Sequence, residues 1–343
     1  MHTKRITLLL ALALASLAPA ADFPEAAISN GLIQARLYLP DPVRGYYQGT
    51  RFEWSGIVSS LQYQGHEYFG VWFERYDPKI HDAITGPVES TQEGDLFYNE
   101  AKPGGTFVRF GVGVVRRPDE RRFNAFHTYE IVDPGKWKIR KAKDRVEFTH
   151  ELKDGTGLAY VYRKTLRLTR NKPELVIEHT LRNTGRREIS TAQYNHNFFV
   201  IDKQPTGPDF VVKFPFEARA TLDLQDKAQV RGRELVYLRE LQKGESVFTQ
   251  LTGFGDTAKD YDFRIENRKA GAGVRITGDR PLKRLVYWSI RTTLCPEPYI
   301  AIQAGPGGET RWKITYEFYT LPASQLSRLP ASIPAPQYQY RRP

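Results

Sequence analysis

Alternation of apolar and polar side chains with a period of two constrains the fold of this chain more than any other feature. The run Glu174–Asn183 places leucine, isoleucine and histidine on one face and mostly polar residues on the other. Tyr160–Leu168, Lys283–Arg291 and Lys313–Tyr319 alternate in the same way, and helical periodicity is almost absent. Many short strands of this kind predict an all-β fold of antiparallel strands, as a β-sandwich or a related two-sheet architecture.

Turn residues separate the predicted strands and mark hairpins. We expect turns at Tyr63–His66, Lys141–Arg145 and Asn183–Gly185. No Pro- or Ser-rich linker divides the chain before Leu321, and no internal repeat is evident. Residues 21–321 are therefore predicted to form one domain, and the Pro-rich residues 322–343 an extended, flexible tail.

Residues 1–20 have the pattern of an export signal. Lys4 and Arg5 precede the apolar run Ile6–Leu17, and Ala18-Pro19-Ala20 matches a small-residue cleavage site. The apolar run is shorter than the about 20 residues that cross a bilayer, so we expect a secreted or periplasmic protein without membrane insertion. Cys295 is the only cysteine, so the domain must rest on its core rather than on disulfides.

The formal net charge of +11 comes from basic residues that are scattered along the chain. No basic helix, zinc finger or RNA-binding aromatic signature accompanies this charge, so nucleic acid is not an expected partner. The basic balance does make an anionic glycan a more plausible partner than it would be for an acidic protein. The sequence contains no phosphate-binding loop, dinucleotide-binding loop or metal-ligand spacing, so we expect no cofactor and no metal.

The run Tyr194–Phe199, which reads Tyr-Asn-His-Asn-Phe-Phe, is the strongest chemical feature of the chain. It places His196 between two side-chain amides and before two aromatic rings, at the end of a predicted strand. A histidine that is held and kept charged in this way can donate a proton. Far away in sequence, the carboxylate Glu297 lies between prolines in Cys295–Pro298. One acid and one base on separate strands indicate an enzyme that moves protons.

These two segments resemble motifs of the aldose 1-epimerases, also called galactose mutarotases. Tyr194–Phe199 is similar to the family's Thr-Asn-His-x-Tyr-Phe core. Leu294–Pro298 and the turn Gly305–Thr310 are similar to its late Cys-x-Glu-Pro and Pro-Gly-Glu-Thr motifs. Ile80–Ala83 resembles a Leu-His-Gly-Gly segment, and Gly56–Leu61 resembles an early strand of the family. The matching segments follow the family's order and span most of the chain after the predicted signal.

The resemblance implies a β-supersandwich of many antiparallel strands, with a sugar bound in a groove on one sheet. It implies that His196 is the general acid, that Glu297 is the general base, and that His81 contacts the sugar. The chain departs from the family at Tyr194, where threonine is usual, and at Asp82-Ala83, where two glycines are usual.

Further sugar-contacting residues are predicted from the family's pattern and from side-chain type. Arg51 or Arg75 is expected to replace the family's arginine. Asp202 or Asp209 is expected to serve as its substrate-binding aspartate. Amide groups hydrogen-bond sugar hydroxyls and aromatic rings stack on sugar rings, and the residues of these types near the motifs are Asn195, Tyr194, Trp54, Trp72, Tyr46 and Tyr47.

The expected chemistry is mutarotation, in which a base removes the anomeric hydroxyl proton while an acid protonates the ring oxygen. An imidazolium and a carboxylate fit these roles if they face each other across a groove, about one sugar ring apart. The leading prediction is therefore an exported, monomeric, aldose 1-epimerase-like isomerase that acts on a mono- or oligosaccharide. A non-catalytic carbohydrate-binding protein and a lyase or hydrolase acting on an anionic glycan stay open as alternatives.

Overall fold

The computed structural model describes residues 23–92 and 97–326 of the chain. The predicted signal, residues 1–20, and residues 327–343 of the predicted tail lie outside the described residues. The described residues contain β-strands and three short 3₁₀ segments, Ile201–Lys203, Ala258–Asp260 and Ala323–Gln325, but no α-helix. None of their helical segments has the length and apolar character needed to cross a membrane.

The strands in chain order are β1 Glu25–Ser29, β2 Ile33–Tyr38, β3 Ile57–Tyr63, β4 His66–Glu67, β5 Val88–Gln92, β6 Thr106–Arg109, β7 Gly113–Arg116, β8 Ile131–Asp133, β9 Lys136–Lys141, β10 Arg145–Lys153, β11 Ala159–Leu168, β12 Glu174–Asn183, β13 Ile189–His196, β14 Phe210–Lys213, β15 Arg219–Ala220, β16 Ala228–Arg231, β17 Glu234–Tyr237, β18 Ser246–Thr252, β19 Asp262–Asn267, β20 Ala272–Gly278, β21 Arg284–Ile290, β22 Thr293–Ala304 and β23 Glu309–Thr320.

Two large sheets dominate the fold. The ten-stranded sheet has the order β16-β17-β14-β19-β20-β23-β12-β11-β10-β9, and the six-stranded sheet has the order β15-β18-β21-β22-β13-β5. Two smaller sheets, β1-β2-β3-β4 and β6-β7-β8, complete the architecture. Neighbouring strands pair antiparallel, from β9 with β10 to β21 with β22. The prediction of an all-β, antiparallel sandwich is confirmed.

The predicted strands follow from period-2 patterning, because alternate residues on a half-buried strand meet core and solvent in turn. The run predicted at Glu174–Asn183 is β12, and it buries Leu175, Ile177 and Leu181 while its other face is less buried. The hairpin predicted around residue 64 turns at Gln64-Gly65, where φ is +48° and +84°. Two consecutive left-handed residues are typical of the two-residue turns that match strand twist.

The main apolar core lies between the two large sheets. It joins Ile177 and Leu181 of the ten-stranded sheet with Val247, Leu251 and Leu285 of the six-stranded sheet in one buried cluster. Burial of apolar surface on the facing sides of two sheets is what stabilises a sandwich. The other face of the six-stranded sheet lies outside this core.

A buried charged network also joins the sheets. Lys164 of β11 places its Nζ 2.6 Å from Glu53 Oε1 and 2.5 Å from Glu89 Oε2, with all three side chains at most 2% exposed. His179 of β12 lies 3.0 Å from Glu89 through Nε2. His179 is thus a hydrogen-bonded core histidine on the apolar face of its strand. Charges buried so deeply are tolerated only when they are paired.

Candidate functional site

A cavity of about 640 Å³ lies on the outer face of the six-stranded sheet. Its floor consists of side chains two residues apart on four adjacent strands, because alternate residues of a strand share one face. The floor residues are Ser246, Phe248 and Gln250 of β18, Arg284, Val286 and Trp288 of β21, Glu297 and Tyr299 of β22, and Tyr194 and His196 of β13.

The walls of the cavity come from loops. Arg51 and Asp82 form a close ion pair at one wall, and Asp82 also lies 2.9 Å from His81 Nε2 through its other oxygen. Phe123 and Phe126 stand on a second loop. The guanidinium carbon of Arg51 lies 4.7 Å above the ring of Phe126, which is 57% exposed and therefore available to stack on a ligand.

His196 and Glu297 lie in contact on the floor. The antiparallel pairing of β13 with β22 sets Tyr194 opposite Tyr299, and two further residues along each strand bring His196 opposite Glu297. His196 Nε2 lies 3.3 Å from Glu297 Oε1. The expected separation of about one sugar ring is therefore wrong, because the two residues are cross-strand neighbours on the same face of one sheet.

Burial changes the expected charge of this pair. Desolvation, and next the positive charge of Arg51, hold the pKa of His196 well below its usual value. Burial raises the pKa of Glu297 to about 7, although Arg51 and Arg284 lower it in part. Both shifts act against the expected imidazolium–carboxylate pair, since burial favours the uncharged form of each group.

Aromatic rings hold the His196 imidazole in place. Phe198 stacks on it with 3.9 Å between ring centroids, and Trp288 meets it edge-on at 5.5 Å. Its Nδ1 is buried and has no hydrogen-bond partner among the described residues. A ring that is fixed by packing keeps its Nε2 at a constant position beside Glu297, which a proton-transfer site requires.

The two amides that flank His196 point away from the cavity. Asn195 Nδ2 donates to Glu89 Oε1 at 3.0 Å, inside the protein. Asn197 Nδ2 donates to the carbonyl oxygen of Pro296 at 2.6 Å, and Asn197 Oδ1 accepts from Tyr316 at 2.7 Å. The prediction that Asn195 contacts a sugar is therefore wrong. Because strand neighbours alternate in direction, both amides anchor the backbone on either side of His196.

Three other predicted contacts also lie outside the cavity lining. Trp54 is 1% exposed and its Nε1 donates to the carbonyl oxygen of Gly49 at 2.9 Å. Trp72 donates to a backbone carbonyl at 2.9 Å and supports the site only indirectly, by stacking on Phe198. Asp202 accepts from His66 Nδ1 at 2.7 Å and from a backbone amide. The predictions that these three residues contact the sugar are therefore wrong, because their polar groups already have hydrogen-bond partners within the fold.

The remaining predicted residues divide between lining and support. Arg51, Tyr194, His196 and Glu297 line the cavity. His81 is not part of the lining but contacts Asp82, which is. The alternatives Arg75, Asp209, Tyr46 and Tyr47 do not line it. The cavity therefore supports Arg51 in preference to Arg75 as the arginine of the site.

Sequence reasoning missed Arg284 and Trp288, which face the cavity from β21. Their strand was predicted, and their spacing of four places them on one face with Val286. The available signal was an arginine in an otherwise apolar strand. Alternation alone does not tell which face of a strand meets the core and which meets a cavity.

Among residues 23–92 and 97–326, no three His, Cys, Asp or Glu side chains come together in a way that could hold a metal ion. Cys295, next to the site, is fully buried and its Sγ accepts from the Phe198 amide at 3.1 Å. Burial raises the pKa of this thiol, which keeps it protonated.

Comparison with solved structures shows where this architecture recurs. An aldose epimerase homologue from C. elegans superposes with a TM-score of 0.55 at 15% identity, over 88% of this chain and 100% of that one. A galactose mutarotase-like protein from Clostridium acetobutylicum gives a TM-score of 0.55 at 12% identity, over 87% and 95% of the two chains. The chain has the galactose mutarotase-like fold. A protein from Synechocystis sp. PCC 6803 shares this fold, with a TM-score of 0.53 at 14% identity over 88% and 97%.

The likeness is one of structure. No protein-family model and no curated protein matches the sequence. The mutarotase-like fold nevertheless extends over nearly all the residues described here, since the matches cover 87% to 88% of the chain. At such low identity, the roles of individual side chains must be argued from this site itself.

Proposed function

We propose that the protein interconverts the α and β anomers of a sugar by acid–base catalysis at the His196–Glu297 pair. The observation that carries the proposal is the direct contact of these side chains, 3.3 Å apart, on the floor of a cavity. The mutarotase-like fold of the chain supports the same reaction class. The cavity also offers aromatic surfaces, such as Trp288 and Phe126, on which a sugar ring can stack.

Side-by-side placement suits this reaction. The ring oxygen and the anomeric hydroxyl oxygen of a hemiacetal are bonded to the same carbon, so an adjacent acid and base can reach both from one side. With the pKa of Glu297 raised and that of His196 lowered, the roles are the reverse of those that the family resemblance implies. Protonated Glu297 gives its proton to the ring oxygen while the unprotonated nitrogen of His196 takes the hydroxyl proton. The bond between the ring oxygen and the anomeric carbon then breaks and leaves an open-chain aldehyde. Closure on the other face reverses both proton transfers.

The reaction requires that the pair carry one transferable proton. Neutral imidazole with protonated carboxyl and imidazolium with carboxylate hold the same number of protons, so they are two forms of one catalytic state. Burial favours the uncharged form at rest. Because the pKa of Glu297 is raised to about 7, this proton is present below that pH and lost above it. We expect kcat/KM to fall about tenfold for each pH unit above 7.

The test is anomer exchange. Saturation-transfer or exchange NMR on freshly dissolved aldoses measures the rate between α and β signals with and without the protein. Glu297→Gln and His196→Ala should each slow exchange by about 100-fold or more, since each positioned group contributes roughly 10²–10⁴-fold. Glu188→Gln serves as the matched control, because Glu188 is exposed and outside the cavity.

Three outcomes oppose the proposal. If no aldose, neutral or acidic, shows faster exchange with the wild-type protein, mutarotation is excluded. If sugars nevertheless bind, and both variants bind them equally well, the protein is a carbohydrate-binding protein without turnover. New reducing ends released from a polysaccharide would instead indicate a hydrolase or lyase.

We further infer, from the N-terminal sequence alone, that the protein works outside the cytoplasm. The charged start, the apolar run Ile6–Leu17 and the small residues Ala18-Pro19-Ala20 support export with cleavage before Ala21. Mass spectrometry of the protein recovered from cell fractions tests this inference. A mature chain that keeps Met1 and stays in the cytoplasm contradicts it.

A further inference from the structure

Arg284 occupies an unusual electrostatic position on the cavity floor. Its guanidinium carbon lies 4.0 Å above the ring of Tyr299, the residue opposite it on β22. Its Nε is buried without a hydrogen-bond partner, and no carboxylate among residues 23–92 and 97–326 lies within ion-pair distance of it. A cation that is fixed by stacking and keeps its Nε donor unused can take an anion as a further partner.

The other arginine of the cavity differs in this respect. Arg51 is paired with Asp82, so its charge is neutralised inside the protein. Glu297 faces Arg284 only across the diagonal of two strands, because Val286 is the residue directly opposite Glu297. When the pair of His196 and Glu297 is uncharged, Arg284 is the unbalanced charge of the floor.

We propose that the cavity binds a sugar bearing an acidic group, either a carboxylate or a phosphate or sulfate ester, and that Arg284 pairs with that group. This inference rests on the proposed function for the position of the anomeric carbon, which lies at His196 and Glu297. Arg284 then recognises the charge of the substrate, while His196 and Glu297 transfer protons.

The spacing of the sheet suits one sugar ring. Arg284 and Glu297 are diagonal neighbours on adjacent strands, and such positions lie roughly 7–8 Å apart. A ring with its anomeric carbon at Glu297 can direct an acidic group on its far side toward Arg284. The guanidinium presents its donors in a rigid plane that matches the oxygens of a carboxylate, phosphate or sulfate.

Neutral sugars explain this arrangement less well. A hydroxyl can accept from Arg284, but it leaves the positive charge of a half-buried guanidinium uncompensated. An anionic group supplies both the acceptor oxygens and the compensating charge. A carboxylate, phosphate or sulfate can also accept two parallel hydrogen bonds from the guanidinium, so an acidic substrate gains the larger share of affinity here.

The experiment compares matched ligands by isothermal titration calorimetry. Galacturonate is compared with galactose, and glucose 6-phosphate and glucose 6-sulfate with glucose, at low salt. We expect one acidic sugar to bind about 10- to 100-fold more tightly than its neutral partner. Arg284→Gln should abolish the difference in affinity between each acidic sugar and its neutral partner, and Arg284→Lys should retain part of it. Lys283→Gln removes the same charge from the adjacent exposed side chain and should change nothing.

The results separate this inference from the proposed function. Acidic sugars that bind through Arg284 without anomer exchange support the inference and refute the mutarotase proposal. Equal affinity of the wild-type protein for acidic and neutral sugars, together with accelerated anomer exchange of neutral sugars, overturns the inference and leaves the enzyme proposal standing. The pattern among carboxylate, phosphate and sulfate identifies the acidic group. Circular dichroism of the Arg284→Gln variant confirms that any loss of binding occurs in a folded protein.

Discussion

Replacing Glu297 by glutamine should make the protein more stable at high pH. The site raises the pKa of Glu297 from 4.5 to about 7. Between these pH values the unfolded chain has lost this proton and the folded protein has kept it, so stability falls as the pH rises through the window. Each pH unit corresponds to about 1.36 kcal/mol, which gives about 3 kcal/mol as an upper bound above pH 7. Glutamine has nearly the same shape and cannot ionise.

Urea unfolding followed by tryptophan fluorescence at several pH values measures this effect. Wild type and Glu297→Gln should have similar free energies of unfolding near pH 4.5. By pH 8 the variant should be more stable by about 2–3 kcal/mol. Glu188→Gln, in an exposed glutamate outside the cavity, should show no such divergence.

Two results would contradict this prediction: Glu297→Gln is less stable than wild type at pH 8, or the difference in stability between them does not change with pH. Either result would mean that partners within the site compensate the carboxylate fully, against the dominance of desolvation. A stabilised but inactive variant, by contrast, is what a site arranged for proton transfer predicts, since functional sites often reduce stability.

Three further predictions address the surroundings of the site. Lys164→Met should destabilise the protein by about 3–5 kcal/mol in urea unfolding, because two buried glutamates lose their cation. Gly86→Ala should cost about 1–3 kcal/mol, since φ is +77° and a Cβ would lie 2.3 Å from the Val58 carbonyl oxygen. Asn197→Ala should lower kcat for anomer exchange by about tenfold with little change in KM, because it releases the Pro296 carbonyl beside Glu297.

Much of the fold was readable from local patterning. The runs at Tyr160–Leu168 and Glu174–Asn183 gave β11 and β12 almost to the residue, because each strand has one face in the core. The strand predicted at Lys313–Tyr319 extends to Glu309–Thr320, since its ends alternate more weakly. Pairing order was not readable. β12 lies between β11 and the distant β23, and such non-local contacts leave no local signal.

The site was predictable in its chemistry and not in its geometry. His196 and Glu297 stand out by type and motif, but their contact depends on the register of β13 against β22. Asn195 was misplaced because alternation reverses direction at every residue, and an amide serves equally well as a ligand contact or as an internal anchor. Trp54 was misplaced because burial of an indole depends on packing that only the assembled sheets define.

The strands under the cavity carry polar residues on both faces. This arrangement constrains the register in which the strands must pair. On β13, His196 faces the cavity and Asn195 faces the buried charges; on β5, Ser90 and Glu89 divide in the same way. A slip of one residue would turn the inner set outward and the outer set inward. It would leave the Lys164 charge unmatched in the core, so misregistered chains carry a heavy energetic penalty. The buried charges therefore enforce the correct register of these strands during folding, before a substrate binds.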